Sequence, residues 1–226
     1  MGTLRCGRPL PKTRMLPWGH LAVGYLAYSL AVRGRTGGPP AGLAVAALAV
    51  GTQFPDLIDK PLVAWVSLLP SGRSLGHSLL FAAACGVGLW YLGRRFDRPD
   101  VASAFLFGQL AHVVADALPT ALAGRWSELG FLFWPVTPAF RYPGDDRELV
   151  EYLLAELTTP PHNELGLSAL AVALWVADGR PGLPEARSWL AARCRAPVSR
   201  PGVAAGRLMT VAVAHRFDIR GHSIPE

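Results

Sequence analysis

Charge is scarce in this chain. Only 17% of its 226 residues are Asp, Glu, Lys or Arg, against 51% hydrophobic residues. A mean hydropathy of +0.28 is high for a soluble domain. Cysteine is scarcer still. Cys6, Cys85 and Cys194 stand far apart with no CxxC between them, which excludes a zinc ribbon and a disulfide scaffold. Polar–apolar alternation is missing, so strands are not expected. No P-loop and no glycine-rich dinucleotide fingerprint occurs.

What is present is a set of long apolar runs. Five stand out: Met15–Val32, Thr36–Pro55, Ser74–Gly93, Val101–Ala115 and Leu165–Ala177. Each is roughly 13–20 residues long, close to the ~20 needed to cross a bilayer. Helices that are apolar all round, several to one short chain, fit a membrane bundle. The expected fold is therefore all-α: an embedded up-and-down bundle of four to five main helices with short surface helices. Asp100 is the expected N-cap of the fourth. The connections 33–40 and 94–100 are basic, and 53–61 reads as an acidic, turn-rich loop. Residues 146–157 are amphipathic and suggest a surface helix. Residues 1–14 form a basic leader, with Met15 as an alternative start. Residues 15–178 form the helical domain. From 179 onward the chain is rich in Arg, Pro and Gly and reads as a largely disordered tail, with a short helix near 184–193.

The net charge of +6 comes almost wholly from arginine. Its arginines lie in loops and tail without interleaved aromatics, so no nucleic-acid partner is expected. Their placement instead suggests the cytoplasmic side of a multi-pass membrane protein.

The few ionisable groups of the apolar runs are placed without scatter. His20 opens the first run, Asp56 and Asp59 follow the second, and His77 opens the third. His112 and Asp116 close the fourth, and His162 and Glu164 open the fifth. In an up-and-down bundle all of these converge on one end. Arg33, Arg35, Arg94, Arg95 and Arg98 fall at the other. With Met15 as the start, the positive-inside rule puts the His/Asp end outside the cytoplasm; Arg5, Arg8, Lys12 and Arg14 of the leader favour the opposite orientation.

Within GQLAHVVADAL, His112 and Asp116 are four residues apart and share one helix face. They either hydrogen-bond each other or hold a common ligand. Imidazole and carboxylate are both ligands of first-row metals.

WGH, PDLID, GRSLGHSL and GQLAHVVADAL, in that order, resemble the YdjM-type family of membrane-bound metal-dependent hydrolases. That family is thought similar to the zinc-dependent phospholipase C and P1 nuclease group, which is all-helical and binds zinc through His and Asp. The resemblance implies that His20, Asp56, His77, His112 and Asp116 are metal ligands, with Asp59 the alternative to Asp56. It matches Arg73 and Ser78 to the Arg and Ser of the family's HRGxTHS stretch. Gly72 and Gly76 depart from that stretch, and the further ligands of a three-zinc site have no equivalent unless His162 and Glu164 serve. One or two divalent ions, zinc foremost, are expected.

The expected function is hydrolysis of a phosphoester or lipid-like substrate by metal-activated water. Asp59 or Asp56 is the expected general base, and Arg73 the group that stabilises a phosphate or oxyanion. The alternative is a non-catalytic membrane protein whose metal or polar cluster is structural. Membrane lipids and a small-molecule or lipid-like substrate are the expected partners.

Overall fold

A computed structural model of the chain describes residues 15–141 and 164–195. The leader, the amphipathic stretch 146–157, His162 and the tail beyond 195 lie outside the described residues. Six α-helices occur among the described residues: α1 (Pro17–Thr36), α2 (Gly42–Ala64), α3 (Leu79–Arg95), α4 (Pro99–Leu122), α5 (Leu165–Ala177) and α6 (Leu183–Arg195). A 3-10 helix spans Trp126–Phe133. No strand is found among the described residues.

Local chemistry sets the ends. Pro17 and Pro99 sit in the first turns of α1 and α4, where a missing N–H costs nothing. Gly37 ends α1 in the left-handed conformation, at φ 74°, and its N–H returns to the Arg33 carbonyl. Ser78 caps α3, its Oγ accepting from the Leu80 N–H at 3.2 Å. Arg98 rather than Asp100 is the N-cap of α4. Pro99 at the helix start shifts the boundary by two residues, and Asp100 meets the positive end of the helix dipole instead.

The second helix departs most from expectation. The acidic stretch 53–61 is not a loop: α2 runs through both Pro55 and Pro61 to Ala64. Proline removes one internal hydrogen bond but does not stop a helix held by its neighbours. Asp56 and Asp59 therefore stand on a rigid helix.

α4 is the hub. His20 and Tyr28 of α1 meet His112 and Phe107 of α4, so α1 and α4 run in opposite directions. Gly86 and Gly93 of α3 face Leu106 and Ala102, also antiparallel. α2 runs parallel to α4. A Cβ on Gly51 would strike the Phe105 carbonyl, and one on Gly108 would strike the Leu48 carbonyl. Two glycines thus let the α2 and α4 backbones touch, as small residues do between packed membrane helices. Up–down–up–down order follows for α1 to α4. The core gathers Tyr25, Tyr28, Val45, Leu48 and Ala104.

α5 runs along α1 and is tied to it at both ends. The Leu16 N–H donates to the Glu164 carboxylate at 3.0 and 3.1 Å. Tyr25 Oη and Ser29 Oγ donate to Asp178 Oδ2 at 2.5 and 2.7 Å, and the Arg33 guanidinium pairs with Oδ1. Burial pushes the Asp178 carboxyl up, but its three donors and the Arg33 charge outweigh this and hold it below the usual carboxylate range. Leu30, Val50, Leu57, Val87, Val114 and Leu118 all point outward from α1 to α4.

Candidate metal centre

Where α1 starts, α2 and α4 end and the 65–78 connection leads into α3, five expected ligands come together. His20, His77, His112 and Asp116 are buried, and Asp56 is partly so. Two sets have one ligand atom from each residue within 4.8 Å of the others: His20, His112 and Asp116, and Asp56, His77 and His112. His112 belongs to both.

The two possibilities for His112 and Asp116 now separate. Their closest atoms, His112 Nε2 and Asp116 Oδ2, are 3.8 Å apart, too far for a hydrogen bond. Each is fixed by something else. His112 Nδ1 lies 2.6 Å from the Thr52 carbonyl, one turn back from Pro55. A carbonyl only accepts, so Nδ1 carries the proton and Nε2 bears the lone pair. Asp116 Oδ1 accepts from Arg73 Nη2 at 2.9 Å.

His77 is set in the same way. Its Nδ1 donates to Asp59 Oδ2 at 2.8 Å, and Asp59 also accepts from the N–H groups of Ser74 and Gly76, each at 2.7 Å. Gly76 permits this, because a Cβ there would sit 2.6 Å from the Pro55 carbonyl. With both Nδ1 atoms donating, two Nε2 lone pairs face each other across 3.1 Å. Like lone pairs repel, so a cation belongs between them, a proton or a metal. Two nitrogens of one tetrahedral zinc, each ~2.0–2.1 Å from it, stand ~3.3 Å apart.

The neighbouring carboxylates match. Asp116 Oδ2 is 3.3 Å from His77 Nε2. Asp56 Oδ1 is 3.7 Å from His77 Nε2 and 3.8 Å from His112 Nε2. The carboxylate–His77 and carbonyl–His112 contacts are the outer shell that metal-binding histidines normally have. Without a metal the proton takes the gap. Burial alone pushes His77 down, but hydrogen bonds and charge from Asp116 and Asp59 outweigh it, and its pKa is raised to about 9.

The accessible rim consists of Asp56, Lys60 and Arg73, with side chains 16%, 18% and 19% exposed. Lys60 Nζ pairs with Asp56 Oδ2 at 2.7 Å. Three carboxylates therefore face two cations, and one divalent ion turns the whole cluster positive.

Some expectations need correction. A general base must reach substrate, whereas Asp59 lies wholly buried behind His77 with three donors on its two oxygens. Orienting His77 fits that geometry. Ser78 is a cap and a tether, its Oγ donating to the Trp134 carbonyl at 2.7 Å. Glu164 holds the start of α1 and is in neither ligand set. The stretch GRSLG at 72–76 has G-x-S-x-G spacing, but Ser74 is buried in a helix–helix connection. Its Oγ donates to the Ser71 carbonyl, so it is no nucleophile elbow. Lys60, the Thr52 carbonyl and the Tyr25–Ser29–Arg33–Asp178 cluster were not foreseen. Only Lys60 had a local signal, its place four residues after Asp56.

The model of the YdjM inner membrane protein family matches residues 15–180. The chain belongs to that family. Neither a curated protein nor a solved structure matches it. α4 is the one helix among the described residues that is long and apolar enough to cross a membrane.

Proposed function

We propose that this YdjM family member is a multi-pass membrane hydrolase that uses one divalent ion, zinc by preference, to cleave a phosphoester or lipid-like substrate. The observation that carries the reading is the pair of facing Nε2 atoms of His77 and His112, 3.1 Å apart. Both rings have their other nitrogen committed as a donor, so this spacing calls for a cation. His112 offers one lone pair to both ligand sets, which favours a single ion over two.

A divalent ion at such a site supplies Lewis acidity and lowers the pKa of water towards ~7. The chain supplies the rest. Asp59 and the Thr52 carbonyl hold the two imidazoles in the ligand tautomer. Asp56 and Asp116 add anionic oxygen ligands, and His20, stacked on His112 with ring centroids 3.8 Å apart, closes the inner side. Arg73 and Lys60 line the accessible rim with positive charge, the pattern for an anionic substrate. A purely structural site is normally closed on all sides. Here three polar residues leave an approach.

Embedding of α1 to α4 as a bundle is supported by family membership and by the outward-facing Leu and Val of all four. On the positive-inside rule, Arg33, Arg35, Arg94, Arg95 and Arg98 at the other helix ends favour the extracytoplasmic face for the cluster.

The test is elemental analysis of the full chain beside H112A, D116A and D116N, purified side by side in detergent. Wild type is expected to carry about one equivalent of metal and each variant much less. Equal metal in all four overturns the site. Turnover of a phosphodiester and phospholipid panel by the metal-loaded wild type, absent from H112A, then separates a hydrolase from a structural centre.

A further inference from the structure

The connection that follows α4 is apolar on its outer side. Leu118 and Leu122 of α4 lead into Trp126, Phe133 and Val136, all of them exposed. Leu122, Trp126 and Val136 are 80%, 68% and 79% exposed, so most of each side chain faces outward. From 118 to 140 the only charged residues are Arg125 and Glu128, and these pair at 3.3 Å. The α3–α4 connection at the other end has the opposite character: Arg94, Arg95, Asp97 and Arg98 stand within five residues. A connection bathed in water would resemble the second. A large exposed apolar patch marks a surface that meets something else.

On its inner side the same connection touches the centre. Phe131 is fully buried, its ring 6.0 Å from that of His77 and perpendicular to it. The Trp134 carbonyl accepts from Ser78, the residue after His77. Thr137 Oγ1 donates to the Gly130 carbonyl at 2.5 Å and folds the connection back on itself. Its depth is bracketed from two sides. Residues 134–140 are not helical, and lipid-exposed irregular backbone does not occur within hydrocarbon. Exposed aromatic rings, in turn, gather where membrane meets water. Helix length gives the same level. About 20 residues cross a ~30 Å hydrocarbon core. Counted along α4 from Arg98, they end at Leu118. α2 agrees: Trp65, 71% exposed, lies as far beyond Gly51 as Pro119 lies beyond Phe105, the residue that Gly51 touches.

We propose that the 123–140 connection lies in the boundary between the headgroups and acyl chains of the bilayer, with Trp126, Phe133 and Val136 towards lipid and Phe131 towards His77, which places the His/Asp centre just beneath the lipid interface. This rests on the embedded-bundle reading and not on hydrolysis. The occupant is lipid because the exposed face continues the outward side of α4. That is the one helix among the described residues long and apolar enough to cross a membrane, in a chain of an inner membrane protein family. The Arg125–Glu128 pair adds no net charge, so neutral and anionic lipids serve equally. His112 and Asp116 precede Leu118 by six and two residues, ~3–9 Å towards the hydrocarbon at ~1.5 Å per residue.

Bromine quenching of tryptophan fluorescence tests the proposal on the full chain in phosphatidylcholine nanodiscs. The lipid is brominated on one acyl chain, near the carboxyl end or near the methyl end. The Trp126 signal is the difference between wild type and Trp126→Phe, which keeps an exposed aromatic ring. Val87→Trp reports the middle of the core, because Val87 is exposed on α3 beside Gly86, which faces Leu106. Trp126 is expected to lose about half of its emission to carboxyl-end bromine and less to methyl-end bromine, as a ring at headgroup level should. V87W is expected to show the reverse order. Stronger quenching of Trp126 by methyl-end bromine overturns the proposal, and so does free quenching by aqueous iodide with none by bromine. Quenching by neither also overturns it, the result if residues 142–163 or a second copy of the chain covers the face. With V87W quenched as expected, each of these results defeats the interface assignment alone. V87W untouched by both bromines defeats the embedded bundle, and the interface assignment with it.

Discussion

Asp59→Asn isolates the residue whose role differs most between sequence and structure. The change keeps the shape of the side chain and removes its charge. In the native chain Oδ2 accepts from His77 Nδ1 and the Ser74 N–H, and Oδ1 accepts from the Gly76 N–H. An asparagine has one acceptor oxygen. With that oxygen at the Oδ2 position its NH2 faces the Gly76 N–H, donor against donor, in a fully buried place. In the other orientation the NH2 faces His77 and drives it to the wrong tautomer, with the proton on Nε2 where a ligand lone pair is needed. Both outcomes weaken the metal site without touching a ligand. Loss of an outer-shell partner typically lowers metal affinity 10–100-fold, about 1.4–2.7 kcal/mol.

The assay is a competition titration of the metal-free protein against a chromophoric zinc chelator, run for wild type and D59N. Unfolding in detergent serves as a control, because an orphaned buried N–H costs about 1–3 kcal/mol of stability. The expected result is a 10–100-fold weaker metal dissociation constant in a protein that still folds. A general base would give the opposite pattern, with metal affinity preserved and turnover lost. Native metal affinity in D59N therefore refutes the orienting role, whatever happens to activity.

Other outcomes follow from the same geometry. In the metal-free protein the His77 pKa is raised to about 9, so its proton stabilises the fold below the ordinary value near ~6.5, and that contribution fades as pH rises through 9. A metal must displace this proton, so metal affinity should rise about tenfold per pH unit below 9 and then level off; calorimetry in buffers of different ionisation enthalpy checks the proton release. Asp178 has a lowered pKa, so its support for the α1–α5 contact is present above its unfolded value near ~3.9 and is lost as pH falls through the lower folded value. Asp178→Ala leaves buried Tyr25 and Ser29 hydroxyls without their acceptor and should cost about 1–3 kcal/mol, with metal content unchanged. Gly108→Ala forces α2 from α4 and should cost about 1–3 kcal/mol and reduce metal content, while Gly34→Ala, with open space around it, should do neither. A single cysteine placed in the 33–40 connection should resist an impermeant thiol reagent in intact cells; labelling from outside would reverse the assigned orientation.

Much of the fold was legible because apolar length and helix ends are local properties. The five apolar runs correspond to α1–α5, and the helix expected near 184–193 is α6, Leu183–Arg195. The miss at 53–61 has a clear cause. Pro55, Pro61 and two aspartates are turn formers when judged alone. The helix persists there because its other side is packed: Gly51 lies on α4, and the 65–78 connection lies on Pro55 through Gly76. Tertiary contact overrides local preference, and no residue within the stretch announces it.

The centre shows the same division. That His20, Asp56, His77, His112 and Asp116 share one end could be argued from run order alone, because an up-and-down bundle has only two ends. Which of them touch could not. Asp56 and Asp59 stand three apart on one helix, yet one reaches the ligand side of His77 and the other its back. That choice is made by the connection carrying His77, which folds over α2 so that two backbone N–H groups pin Asp59. The partner of His112 was further from view, since it is the backbone carbonyl of Thr52, a group every residue has. It becomes available to His112 only where Gly51 and Gly108 bring two helices together. The glycines of these apolar runs therefore bear on function as well as packing. By setting the distance between two backbones they decide which nitrogen of His112 is left to bind a cation.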